Sequence, residues 1–228
     1  MKNTIIRVID FETTGIEPPA QVCEVGTCDL DLDTFSITAP ASWLCGVRQM
    51  PPEVRAVHHI SLPQCQGIAE FDAAAMFSSP CDAIAAHNAE FETKFFESPV
   101  PVICTYKAAL RVWPDAPSHS NGVLRYWLED QGKITPVHAR TQPAHRAGPD
   151  AYITAHILKA LFDTGTIVNQ MVAWTKEPRL LPKCPIGKFR GRPWSEVDNG
   201  FLGWMLRQPT MEADLKWNAE REIARRQE

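Results

Sequence analysis

The sequence predicts an α/β protein, a mixed sheet flanked by helices, on three observations. The first hundred residues alternate β-branched runs with helical patterns, the signature of packed layers of sheet and helix. Ile5 to Asp10 is apolar nearly throughout, as a central strand covered on both faces requires. Of the 228 residues, 44% are hydrophobic, enough to fill one ordinary core with something small beside it.

Taken in order, a β-like stretch from Met1 leads into the strand ending at Asp10. Glu24 to Leu32 and Thr34 to Leu44 read as two further strands joined by an acidic turn at Asp31-Leu32-Asp33. Three consecutive strands with short links favour an antiparallel meander. Pro51-Pro52-Glu53-Val54 can open a short helix, since proline is tolerated in the first turn, and Leu62 to Phe77 reads as another. Asp82 to His87 is a strand of small residues, followed by an amphipathic segment from Ala89 to Phe96. Val102-Ile103-Cys104 is one more short strand. Helical patterns follow at Thr105 to Trp113, Ser120 to Asp130 and Pro149 to Phe162, with Ser120 or Asn121 as the N-cap of the second. Between the last two, Gln131 to Arg146 carries two prolines, a glycine and basic residues, the composition of a surface loop.

Net charge is −4, but it is unevenly spread. Residues 1–175 hold 12 Lys and Arg against 19 Asp and Glu, whereas residues 176–192 hold six against one. A local patch of this kind is all that phosphate contact needs. The composition change near residue 175 divides the chain into a domain of 1–175 and a small basic module of 176–228, which ends in helical patterns at Glu196 to Leu206 and Glu212 to Arg226. Seven scattered cysteines without C-x-x-C spacing make a poor disulfide framework and no zinc site. With no apolar run long enough to span a bilayer and no basic region leading into an apolar one at the start, the expectation is a soluble, cytoplasmic protein with no membrane partner.

Three segments carry chemistry. Asp10-Phe11-Glu12-Thr13-Thr14-Gly15 closes the first strand, and strand alternation puts Asp10 and Glu12 on one face, where two negative charges repel unless a cation lies between them. His87-Asn88-Ala89-Glu90-Phe91-Glu92 follows the small-residue strand. His145-Arg146-Ala147-Gly148-Pro149-Asp150 leads into a helix, with Asp150 in its first turn.

In this order the three segments resemble the histidine-containing DEDD exonucleases, the DnaQ-like family of 3′→5′ nucleases. Its motifs are an aspartate and glutamate on the first strand, an acid after a His-Asn-Ala-x-Phe run, and a histidine five residues before a final aspartate. These fall on Asp10, Glu12, Glu92, His145 and Asp150. Ile103 to Lys107, Leu110 to Pro114, Ser120-Asn121, Asp150 to Thr154, Ile186 to Gly191 and Phe201 to Trp204 narrow the resemblance to one bacterial branch, and it runs nearly end to end. It implies a ribonuclease-H-like fold and hydrolysis of DNA, single-stranded or duplex, from 3′ ends to nucleoside 5′-monophosphates. RNA is the alternative substrate, and a catalytically inactive nucleic-acid-binding protein is the alternative from another class.

Hard carboxylate oxygens suit two divalent ions, Mg²⁺ or Mn²⁺, with Asp10, Glu12 and Asp150 as ligands. The family usually has aspartate where Glu92 stands. The extra methylene suits a ligand acting through, or in place of, a water, with Glu90 as the substitute. The resemblance makes His145 the general base, a role an imidazole of ordinary pKa can fill. For substrate, Thr13, Thr14 and Gly15 form a turn that nucleotide can approach closely, and Ile16 either wedges against a terminal base pair or joins the core. Asn88 and Phe91 flank the third acid. His58 lies where the family has a histidine near the terminal sugar. Lys188, Arg190 and Arg192 either follow a phosphate backbone or belong to a solvated linker.

Overall fold

In a computed structural model the described residues are 4–227; the β-like start expected at Met1 to Asn3 lies outside them. The central strand, β1 (Ile5–Thr13), continues three residues beyond Asp10. Its alternation feeds two cores: Ile6 and Val8 enter one, Ile9 and Phe11 the other. Arg7, the one charge near its start, is 5% exposed and forks onto Asp29 at 2.8 Å, so its burial is compensated.

β2 (Val22–Asp31) pairs antiparallel with β1, and β3 (Ala41–Leu44) antiparallel with β2. The meander is as expected, but the third strand is much shorter than Thr34 to Leu44. Before residue 41 it makes only an isolated bridge, Leu30 to Ile37, and Pro40, which has no N–H to donate, precedes the ladder. β4 (Ala83–Ala86) and β5 (Val102–Cys104) complete a five-stranded sheet of order β3-β2-β1-β4-β5, with β1, β4 and β5 parallel.

Helix α1 (Pro52–His58) opens on proline as expected. The helix expected over Leu62 to Phe77 is instead one turn, α2 (Leu62–Cys65), and a separate 3₁₀ turn at Ala73–Phe77. Gly67 at φ +73° breaks the run, and Asp72 starts the second piece by accepting the Ala74 N–H at 2.9 Å. Likewise Glu92 sits in a three-residue 3₁₀ turn, Glu92–Lys94. Then come α3 (Thr105–Val112), α4 (Asn121–Asp130), α5 (Ala147–Asp163) and α6 (Val168–Lys176). Helix α6 has no counterpart among the helices expected from the sequence; Met171 buries it in the main core, and Thr175 Oγ1 accepts the Cys104 N–H of β5 at 2.7 Å.

The long α5 lies over β1 and β2 and closes the core containing Ile6 and Val8. After α6 the chain folds α7 (Asn199–Arg207) and α8 (Ala213–Arg225) around a separate apolar cluster of Cys184, Trp194, Val197, Leu202, Met205, Leu215 and Ala219. Lys107 reaches across to the carbonyls of Thr175 and Glu177 at 3.0 and 2.8 Å, and Arg111 pairs with Glu177 at 2.8 Å. The seven cysteines are free thiols. Among the described residues no helix is long and apolar enough to cross a membrane.

Candidate active site

Because β1 and β4 run parallel, their carboxyl ends open onto the same edge of the sheet, the usual place for a ligand in such folds. Asp10 and Glu12 lie there, on the face of β1 that carries Ile6 and Val8 and is covered by α5. The first turn of α5 therefore brings Asp150 over them: one carboxylate oxygen from each of Asp10, Glu12 and Asp150 lies within 4.8 Å of the others. The turn after β4 supplies Glu92, 3% exposed, whose Oε2 is buried without a hydrogen-bond partner. Glu90 is exposed to solvent.

This is an electrostatically unfavourable arrangement for four bare carboxylates. Burial pushes Asp10 well above the ordinary carboxylate range, and the charges of Glu92, Asp150 and Glu12 push it further. Glu12 is pushed up to about 8, by burial first and then by Asp150 and Glu24, against the opposing charge of Arg146. Burial, reinforced by Glu12, also carries Glu92 to about 8. Asp150 is raised by burial, with His145 opposing. A crowded set of hard oxygen donors, one of them orphaned, fits a hard divalent cation, which would relieve both the repulsion and the missing bond.

His145 is exposed at φ +57°, and its backbone N–H donates to Asp150 Oδ2 at 3.1 Å. Both line a cleft of about 500 Å³ together with Asp10, His87, Asn121 and Tyr126. His87 is held by Thr105 Oγ1 at 2.9 Å and the His119 carbonyl at 2.8 Å, and burial lowers its pKa to about 4. It is a neutral wall.

Two further residues at the site have no functional role assigned from the sequence. Glu24, 1% exposed on β2 and in register with Glu12, accepts two hydrogen bonds from Arg146, at 2.9 and 2.6 Å, and one from the Ala147 N–H at 3.0 Å. It therefore ties the residue after His145 to the sheet. A signal for it exists in the sequence: a lone acid in the apolar run Val22 to Val25 needs a buried partner. Gly26 makes the same docking possible, because a Cβ there would lie 2.0 Å from the Ala147 carbonyl carbon. The second is Asn121, which donates to the Asp150 carbonyl at 3.2 Å and Thr154 Oγ1 at 2.8 Å, while its own Oδ1 is buried without a partner.

The expected substrate contacts are placed unequally. Thr13 and Thr14 are buried and shape the turn, Thr13 Oγ1 donating to the Gly15 carbonyl at 2.6 Å and Thr14 Oγ1 accepting the Gln21 N–H at 2.9 Å. Ile16 is 72% exposed, which removes the core alternative. Asn88 is exposed at φ +72°, and Phe91 stacks edge-on against Phe95. His58 is 2% exposed, with Nε2 at 3.9 Å from Cys23 Sγ and Nδ1 accepting the Ile60 N–H at 3.0 Å. Its ring lies against the Thr13 backbone, and burial lowers its pKa. Lys188 and Arg192 are partly neutralised by Asp198 and Glu196, at 3.0 and 3.1 Å.

The sheet order and the acidic pocket define the class of molecule to which the chain is similar, the ribonuclease-H-like 3′-exonucleases. Within it, the chain is similar to exodeoxyribonuclease 10 of Escherichia coli strain K12, with 29% identity over 210 residues, 89% of this chain and 90% of that protein. The structure of exonuclease X in complex with 5′-overhanging duplex DNA superposes with a TM-score of 0.64 at 29% identity, over 75% of this chain and 99% of that one. The zinc-bound E. coli ExoI–single-stranded DNA complex shares the fold at a TM-score of 0.54 and 16% identity, over 72% of this chain and 43% of that one. No protein-family model matches the chain. The resemblance carried by the motifs is thus matched in sequence and in fold.

Proposed function

We propose that this chain is a metal-dependent 3′→5′ exodeoxyribonuclease that hydrolyses DNA from its 3′ ends to nucleoside 5′-monophosphates. The observation that carries this is the convergence of Asp10, Glu12 and Asp150 within 4.8 Å, with the orphaned Glu92 oxygen and exposed His145 beside them. Asp10, Glu12 and Asp150 would hold two divalent ions, Mg²⁺ or Mn²⁺, and Glu92 would assist directly or through a water. When bound, the ions supply charge neutralisation at the phosphate and polarisation of the attacking water.

The chain's own groups do the rest. His145, held by its backbone bond to Asp150, takes the proton from the water as general base. Glu24 and Arg146 hold the loop that presents it. The turn Thr13-Thr14-Gly15 offers backbone to the terminal nucleotide, exposed Ile16 wedges against the terminal base, and Asn88 and Phe91 add substrate contacts. Lys188, Arg190 and Arg192, in a separate basic module of 176–228, contact phosphates farther along the strand. The test is cleavage of 3′- and 5′-labelled DNA and RNA in Mg²⁺, Mn²⁺ and EDTA. Mononucleotide release from DNA 3′ ends, abolished by EDTA, is expected; cleavage confined to RNA, or none with either metal, overturns the reading.

A further inference from the structure

We infer that the C-terminal unit carries a separate stacking site for single-stranded nucleic acid, centred on Trp204. Three aromatic rings form a continuous row on this unit: Phe189 meets Phe201 edge-on at 5.2 Å, and Phe201 meets Trp204 at 5.1 Å with the planes only 32° apart. Trp204 ends the row 41% exposed, although its neighbours Leu202 and Met205 are fully buried in the unit's core. An indole left in water on a helix whose apolar side is already satisfied is a surface for something else.

The surrounding charge says what that is. Lys188 Nζ stands 4.8 Å above the Phe189 ring. Arg190 is exposed, and Arg207 lies over Gly203, its Nη1 3.2 Å from where a Cβ would sit. Among the described residues neither arginine has an acidic partner, whereas Lys188 is paired with Asp198. The row is also built in: Gly187 adopts φ +59°, and a Cβ there would meet the Phe201 ring at 2.7 Å, so a larger residue would strain the basic turn and push on the ring. Aromatic faces bordered by unpaired guanidinium groups match a strand with stacked bases and a phosphate backbone. A neutral or basic peptide would use the apolar row but gain nothing from two unpaired arginines, and duplex DNA hides its base faces.

This inference deepens the proposed function by giving the strand a holding site outside the acidic cleft, yet it can be judged without catalysis. The experiment uses the full-length protein in EDTA and a labelled oligothymidylate of about 15 nucleotides. Trp204→Ala should weaken binding about 5- to 150-fold, the worth of one stacked base, while Trp204→Phe retains most of it. The strand should quench tryptophan emission in the wild type but not in Trp204→Phe. Arg190→Ala and Arg207→Ala should each flatten the log–log salt dependence by about 0.7, and Trp204→Ala should leave that slope unchanged. An unaltered Kd in Trp204→Ala, tighter binding to blunt duplex than to single strand, or a Trp204 effect on self-association alone would each overturn the proposal. Dinucleotide cleavage in Mg²⁺, measured separately, reports on the acidic site alone, so failure there and failure at Trp204 are told apart.

Discussion

At the scale of single residues, the acidic site is held in place by its surroundings at the expense of its own ionisation. Asp10→Ala should abolish hydrolysis while leaving circular dichroism unchanged, and metal-free thermal stability should hold or rise, because a buried, repelled carboxyl is removed. Retention of more than a few per cent of activity would contradict its proposed role. His145→Ala should lower turnover by about 10²–10⁴-fold with Mn²⁺ binding by calorimetry intact, since the side chain is exposed and outside the carboxylate set. The pH dependence has a definite sign. Glu12 and Glu92 rise from 4.5 to about 8 on folding, so their contribution to stability is full below about pH 4.5 and is lost as pH rises through 8. The melting temperature of the metal-free protein should accordingly fall between pH 5 and 8.5, and saturating Mg²⁺ or Mn²⁺ should flatten the fall. A pH-independent melting temperature without metal would show these carboxyls to be solvated.

At the scale of elements, the entry into α5 is the critical joint, because Asp150, His145 and Arg146 all depend on where that helix begins. Glu24 fixes the beginning from β2, accepting Arg146 and the Ala147 N–H. Breaking the pair is asymmetric: the Arg146 side chain is 32% exposed and can be hydrated, whereas the Glu24 side chain is 2% exposed and cannot. Arg146→Ala should therefore destabilise by about 3–5 kcal/mol, the cost of a buried charge left alone. Glu24→Gln, which keeps an acceptor for Ala147, should cost about 1–3 kcal/mol and lower turnover more than substrate affinity. Chemical denaturation of both variants checks the order; equal destabilisation would mean that water reaches Glu24. The motif resemblance marks His145 and Asp150 in the sequence but not Glu24, because the partner of this lone strand acid lies 122 residues away and no local pattern encodes it.

At the scale of the whole molecule, a net-negative catalytic region adjoins a short basic segment. The link is not a free hinge, since Lys107 and Arg111 hold Glu177. Removing residues 178–228 spares those tethers and should leave dinucleotide cleavage nearly unchanged, while weakening binding to longer DNA. The salt slope should flatten by roughly 0.7 to 0.9 for each phosphate that the shortened protein no longer neutralises. Kd against salt, measured in Ca²⁺ for folded full-length and shortened protein, is the check. Equal slopes would return Lys188, Arg190 and Arg192 to the role of a solvated surface.

By itself, the sequence determined the α/β class, the order of the strands along the chain, the position of the central strand and the identities of the acids, because these follow from local alternation, charge spacing and motif order. It did not determine where helices stop: Gly67 and Asp72 divided an apparently continuous helix, and α6 was hidden because its one buried residue, Met171, finds its partners in a distant core. Which candidate residues reach solvent was likewise decided only by tertiary packing, which buried His58, exposed Ile16 and paired Lys188 with Asp198. The convergence of Asp10, Glu12 and Asp150 belongs to the same level, since it requires the start of α5 to pack onto β2 at Gly26, beside Asp10 of β1. Local propensity acts over a few residues, whereas the burial and charge that define this site arise between segments more than a hundred residues apart.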